Sequence, residues 1–256
     1  MKKLIVFIFA ILILFGVCAL SEEVKKDGNF QYIVLEDGTA EIVGNSIYGG
    51  SKAVVNVPAT LGGYPVSSIG KEGLFGIFSA PEIILPEGIT RLGEMAIGSC
   101  FDLKKITLPS TLTYVGEAAF QFCDSLEEIT FPEGVTYIGK YCFDGCSNLK
   151  TIHFPSTLKT IDDTAFGGCE KLKSLIIPEG VETLGSLAFS FLDNLTDLYL
   201  PSTLKKCGFM SFMECYSLES VKVVKGSYAE KLVINEGLKC IYVDPILPEQ
   251  TQENAE

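Results

Sequence analysis

The sequence predicts a repeat solenoid: a right-handed coil of short turns around a shared apolar core, with a parallel β-sheet along one side, short helical or 3₁₀ turns along another, and a cap at each end. Three observations carry this. Proline recurs at Pro86, Pro109, Pro132, Pro155, Pro178 and Pro201, a period of 23 residues held across six copies. Phenylalanine keeps the same period at Phe120, Phe143, Phe166, Phe189 and Phe212, and leucine keeps it at Leu103, Leu126, Leu149, Leu172, Leu195 and Leu218. A unit this short cannot bury its own apolar face, so roughly seven coils must stack and share a core.

Taken in order, residues 1–21 begin Met1-Lys2-Lys3, run apolar from Leu4 to Leu20, and reach small residues before Glu22 and Glu23. This is the pattern of a secretory signal peptide. The same run is also long enough to stay as a membrane anchor. Cys18 offers lipid attachment, although Phe15-Gly16-Val17 matches a lipobox poorly. Without the leader the chain loses Lys2 and Lys3, and the formal charge moves from −12 to about −14. Such acidity repels phosphate backbones, and no basic stripe runs through the repeat columns, so nucleic acid is excluded as a partner. No membrane contact is expected beyond a retained anchor.

Residues 22–54 depart from the repeat. Apolar runs at 30–35 and 39–43 flank Glu36-Asp37-Gly38, which predicts a hairpin covering the open end of the first coil. The repeats span residues 55–220. The first is longer, because Gly62-Gly63-Tyr64-Pro65-Val66 adds a short insertion, expected as a loop. Strands are expected at 83–85, 106–108, 129–131, 152–154, 175–177 and 198–200. Pro-Glu-Gly at 86, 132 and 178 alternates with Pro-Ser-Thr at 109, 155 and 201, which suggests growth by doubling a two-coil unit. The stretch Gly116-Glu117-Ala118-Ala119-Phe120 suits one helical turn. Residues 221–243 form a closing cap: Ser227 and Glu230 have capping-box spacing, Gly237 can end the helix, and 239–243 is a short strand. The polar residues 244–256 are expected to be a disordered tail.

The run Leu126-Glu127-Glu128-Ile129-Thr130-Phe131-Pro132 resembles the frame of a BspA-like leucine-rich repeat, the kind found in bacterial surface proteins, and the resemblance covers roughly residues 50–243. Gly226-Ser227-Tyr228-Ala229-Glu230 is similar to the segment that often closes such arrays. The resemblance implies a secreted or cell-surface binding module without a cofactor, whose ligand differs from member to member.

Residues able to carry chemistry mostly have a structural explanation. Cys100, Cys123, Cys146, Cys169 and Cys215 share one repeat position, with Leu192 in the sixth coil. Coils about 4.8 Å apart bring the sulfurs near one another, but parallel Cβ vectors disfavour bridging. Leu192 shows that the site accepts an apolar body, so buried free thiols are expected. Cys142 and Cys146 lack a neighbouring histidine and make a poor metal site. Asp162 and Asp163 replace a turn glycine, and no third carboxylate nearby completes a cation site. His153, the one histidine, sits on a strand without a nucleophile beside it. No catalytic residue, metal or cofactor is assigned, and the protein is not expected to be an enzyme.

Recognition remains. On the long sheet, Thr130, His153, Ile176 and Tyr199 form an outward column of mixed polarity, and this is the favoured contact surface. A second exposed column holds Arg91, Tyr114, Tyr137, Thr160, Thr183 and Lys206, with Tyr114 and Tyr137 as its aromatic candidates; Phe122 and Phe191 lie at the opposite turn. The expected function is binding of a protein or glycan at the cell surface or outside the cell, as an adhesin or similar module. A structural spacer in the envelope and a hydrolase with an unrecognised site are the alternatives.

Overall fold

The computed structural model describes residues 23–47 and 53–246. The leader, with its alternatives of cleavage, retention and lipidation at Cys18, lies outside the described residues, as do residues 247–256 of the tail.

The N-terminal cap is an antiparallel meander of β1 (Lys25–Asp27), β2 (Phe30–Val34) and β3 (Ala40–Asn45). Phe30, Tyr32, Ala40 and Ile42 are buried against the first coil. The coils begin with β4 (Val55–Asn56), followed by β5 (Thr60–Leu61) and β6 (Tyr64–Ile69). The insertion is therefore a tight hairpin rather than a loop: β5 and β6 pair antiparallel around Gly62 and Gly63. Gly62 has φ +56°, and a Cβ there would meet the Tyr32 hydroxyl at 1.9 Å, so the packing of the cap requires glycine.

From here two kinds of strand alternate. The long side carries β7 (Glu82–Ile84), β9 (Lys105–Thr107), β11 (Glu128–Thr130), β13 (Thr151–His153), β15 (Ser174–Ile176), β17 (Asp197–Leu200), β19 (Ser220–Val223) and β20 (Lys239–Tyr242). The short side carries two-residue strands: β8 (Arg91–Leu92), β10 (Tyr114–Val115), β12 (Tyr137–Ile138), β14 (Thr160–Ile161), β16 (Thr183–Leu184) and β18 (Lys206–Cys207). The result is a parallel β-solenoid of about nine turns. Two more than expected arise because β19 and β20 of the C-terminal cap extend the long side in parallel register. Long-side strands start one residue earlier than expected and stop short of each proline, which has no N–H to continue the ladder.

The short side is a second sheet, not anticipated as one, and it is the continuous one: β3, β6, β8, β10, β12, β14, β16 and β18 pair in sequence. The long side instead splits into β4-β7-β9, β11-β13 and β15-β17-β19-β20. The splits fall between each Pro-Ser-Thr coil and the next Pro-Glu-Gly coil. Within a pair, the Glu87 carboxylate accepts from the Ser110 N–H at 3.0 Å and hydroxyl at 2.8 Å, and the Thr111 hydroxyl accepts from the Gly88 N–H at 3.0 Å. Glu133 with Ser156 and Thr157, and Glu179 with Ser202 and Thr203, repeat the clamp. The sequence alternation is thus a physical pairing of coils.

The third side differs from the helical turn expected at 116–120. Each coil there contains left-handed residues, such as Ala118 (φ 53°) and Phe122 (φ 59°), which interrupt any helix. Alternate N–H groups reach the next coil instead: Ala118, Phe120 and Phe122 donate to the carbonyls of Lys140, Cys142 and Asp144 at 2.7–3.0 Å. All three sides are therefore tied by backbone hydrogen bonds, as a buried backbone requires.

The core is a set of columns. Phe120, Phe143, Phe166, Phe189 and Phe212 stack face to face, with successive centroids 4.9, 5.1, 5.4 and 5.9 Å apart. Phe131 and Phe154 meet Phe143 and Phe166 edge-on. The closing helix α1 (Tyr228–Asn235) buries Ala229 and Val233. Ser227 accepts from the Glu230 N–H at 3.2 Å, while the Glu230 carboxylate accepts from Gly226. Gly237 at φ +74° ends the helix in a Schellman arrangement, its N–H donating to Ile234 and that of Leu238 to Val233. Residues 244–246, expected as tail, lie on the long sheet, where the Ile246 N–H donates to the Tyr199 hydroxyl at 3.2 Å.

Candidate recognition surfaces

Strand alternation sets what each side offers. On the long side, Ile83, Ile106, Ile129, Leu175 and Leu198 point into the core. Of the outward column, Thr130 is exposed and His153 and Ile176 are half-buried. Tyr199 does not join them. It is 1% exposed, against the expectation, because residues 244–246 return across it and its hydroxyl donates to Glu179. Burial first, and the Glu179 carboxylate second, push this phenol well up and keep it a donor. His153 Nε2 lies 3.2 Å from Glu128 Oε1 on the preceding coil, and Lys222 pairs with Asp197 at 2.8 Å. The long face is a surface of paired charges with a small half-exposed centre.

The short side is built differently. Leu92, Val115, Ile138, Ile161 and Leu184 are wholly buried, so their neighbours Arg91, Tyr114, Tyr137, Thr160 and Thr183 face outward. The Arg91 guanidinium sits 4.2 Å from the centroid of the Tyr114 ring, and the Tyr114 and Tyr137 rings stack at 6.2 Å and 21°. The Tyr137 hydroxyl then donates to Asp162. Burial, and after it Asp162, push the Tyr137 phenol up. A cation, two rings and a carboxylate from four successive coils form one row. Sequence reasoning placed Arg91 in this column without giving it a role; the signal was a cation one repeat before a tyrosine.

Phe122 and Phe191 are each 44% exposed at the opposite turn. Sequence reasoning missed Phe78 and Phe101 there, which are exposed and stacked at 5.6 Å. Their 23-residue separation was the available signal.

The cysteine column is internal. Cys123, Cys146 and Cys169 donate their thiols to the carbonyls of Ile97, Phe120 and Phe143 at 3.2–3.3 Å. Burial pushes the thiols of Cys146 and Cys169 upward; for Cys123 the hydrogen bond with Cys100 comes first and burial second. Cys215 is only half-buried, because no full coil follows it, and burial pushes its thiol to about 11. The carboxylates of Asp162 and Asp163 are used by the fold: Asp162 takes the Asp163 N–H and the Tyr137 hydroxyl, and Asp163 takes the Ser186 N–H.

Stacked parallel coils, a glycine or proline corner in each, and a buried thiol column define a leucine-rich repeat solenoid. The chain belongs to the BspA-type family: residues 55–166 and 138–231 match the BspA type leucine rich repeat region in six copies. Among solved structures it is similar to the leucine-rich repeat protein of T. pallidum, with 27% identity, a TM-score of 0.69, and coverage of 86% of this chain and 98% of that one. It is also similar to a leucine-rich repeat protein from Bacteroides ovatus, with 24% identity, a TM-score of 0.51, and coverage of 88% and 69%. No curated protein matches it.

Proposed function

We propose that this protein is an exported, non-enzymatic recognition module that holds a protein partner on its short-sheet face, at Arg91, Tyr114 and Tyr137. The carrying observation is the stacked row itself. Arg91 and Tyr137 flank the two faces of the Tyr114 ring, so all three side chains are ordered before any partner arrives. Pre-ordered aromatic and arginine side chains lose little entropy on binding and are frequent hot spots. Because those stacking contacts occupy the faces of Tyr114, it offers its edge and hydroxyl. Such a row suits the mixed polar and apolar surface of a protein better than a sugar ring, which needs an open aromatic face. Covering of Tyr199 removes the aromatic anchor from the long-sheet column and leaves Thr130, His153 and Ile176 as the lesser surface. The leader pattern and the family support a place at the cell surface or outside the cell.

The test is binding of fluorescently tagged protein to intact bacterial and host-cell surfaces. Joint replacement of Arg91, Tyr114 and Tyr137 by Ala should weaken it at least about tenfold. The pair His153→Ala and Ile176→Ala should change it little. The reverse result moves the site to the long sheet, absence of binding to any surface favours the spacer, and hydrolysis of a bound partner overturns the non-enzymatic assignment.

A further inference from the structure

The ladder of β20 ends where the Val243 N–H donates to the Val223 carbonyl at 3.1 Å. Among the described residues no further coil follows. Asp244, Pro245 and Ile246 turn back across β19 to β17, where the Ile246 N–H meets the Tyr199 hydroxyl at 3.2 Å. Three residues thus cross two strand spacings of about 4.8 Å each, which is close to the full reach of an extended chain. This strap runs nearly straight, against the direction in which the coils are added, and its line leads on to β15 and β13.

The face beneath and ahead of the strap fits such a path. Along the outward column Thr107 and Thr130 are exposed, His153 and Ile176 are half-buried, and Tyr199 is buried, so exposure falls toward the strap. Ile176 is the register partner of Tyr199 on β15 and the next apolar side chain on the line. The Tyr199 hydroxyl is used in both directions, donating to Glu179 and accepting from Ile246. The sequence Pro245-Ile246-Leu247-Pro248 suits a crossing segment. Two of its four residues have no N–H, so it asks little of strands whose backbone groups lie in the plane of the sheet, and each proline favours extended backbone in the residue before it. Ile246 and Leu247 bring apolar side chains to the face.

We propose that the chain's own tail is the resident occupant of the long face: Asp244-Pro245-Ile246 and the residues after them lie along the outward column from Tyr199 to His153 and hold that face closed to partners. Three residues beyond Ile246 bring Glu249 about two coils further, level with His153. Among the described residues a single hydrogen bond, at Ile246, ties the strap down. An extended segment of the same chemistry, with an apolar residue after a proline, can therefore replace it. The tether gives the resident tail a high effective concentration, so a free segment competes only at a disadvantage. The long face is thus a second docking surface, gated by its own chain, and it does not depend on the short-sheet row.

Photo-crosslinking of the chain from residue 22, which carries every described residue, tests this. With benzoylphenylalanine in place of Glu249, the expected product is a cross-link within one chain to the peptides that hold His153 or Ile176, mapped by mass spectrometry. Ile246→Asp should abolish that product and let iodination reach Tyr199, which the unaltered chain protects. Ile246 lies beyond the last strand, so the solenoid stays folded in this variant, and an unchanged circular dichroism spectrum checks it. A free peptide with the sequence of residues 244–256 should bind the Ile246→Asp chain at least about tenfold more tightly than the unaltered chain. Adding Ile176→Asp should remove that binding. Cross-links to the short sheet, cross-links scattered over the surface, or none at all overturn the proposal. So does equal iodination of Tyr199 in both chains, or a peptide that binds both alike or neither.

Discussion

At the scale of single residues, the columns decide. Phe143 lies between Phe120 and Phe166 and receives the edge of Phe131, with no exposed surface. Phe143→Ala should therefore cost about 3–5 kcal/mol, the usual loss on emptying a core aromatic site, and thermal or denaturant unfolding will measure it. The thiols give a second expectation. Cys100, Cys123, Cys142, Cys146 and Cys169 are buried, so alkylation of the native protein should reach them only on unfolding, whereas Cys207, Cys215 and Cys240, all partly exposed, should react first. Mass spectrometry of peptides after timed labelling checks the order, and early labelling of Cys146 would contradict it. These columns were legible in the sequence because a strict period forces equivalent residues into equivalent surroundings. Tyr199 was not legible, since its cover comes from Ile246, 47 residues later and outside the repeat. A period predicts what a residue's neighbours in adjacent coils do, and nothing about a strap laid over them.

At the scale of elements, the Glu-Ser-Thr clamp converts a sequence rhythm into pairs of coils. The alternation could be read directly, but its meaning depends on which hydroxyl faces which carboxylate, and that follows only from the coil register. Ser156→Ala removes the hydroxyl donor to Glu133 at 2.9 Å while leaving the backbone donor, and should cost about 1 kcal/mol. Acid should act on the same groups. The Ser110 N–H and hydroxyl hold Glu87 below its ordinary 4.5, and the Ser156 N–H does the same for Glu133. A carboxyl with a depressed folded-state value contributes stability that is fully present above its unfolded value. That contribution disappears as pH falls through the depressed value. The melting temperature should thus hold above about pH 4.5 and decline below it, and replacing Glu87 and Glu133 by Gln should flatten the decline.

At the scale of the whole molecule, the two sheets are unequal. The short sheet runs unbroken from β3 to β18, whereas the long side is cut between β9 and β11 and again between β13 and β15. Short strands with a buried leucine or isoleucine looked like corners in the sequence, because two residues give no alternation to recognise; the periodic prolines drew attention to the longer side. The cuts predict where the solenoid opens. Thr196 and Asp197, inside a clamped pair, both donate their N–H groups to the Lys173 carbonyl at 3.0 and 3.1 Å. Lys150 and Thr151 likewise donate to Glu127 at 2.8 and 3.3 Å. Lys173 and Ser174 occupy the same positions at the boundary after β13, yet among the described residues their N–H groups reach no carbonyl of the preceding coil. Amide protection follows the free energy of local opening. Native-state hydrogen exchange should accordingly find Lys173 and Ser174 exchanging at least about tenfold faster than Thr196 and Asp197, which corresponds to roughly 1.4 kcal/mol of local stability. Removing the clamp hydroxyls inside the pair, by Ser202→Ala with Thr203→Ala, should speed the second pair toward the first. Equal protection in the unaltered protein would mean that the coils open one at a time and that the two-coil unit is a feature of the sequence without mechanical consequence.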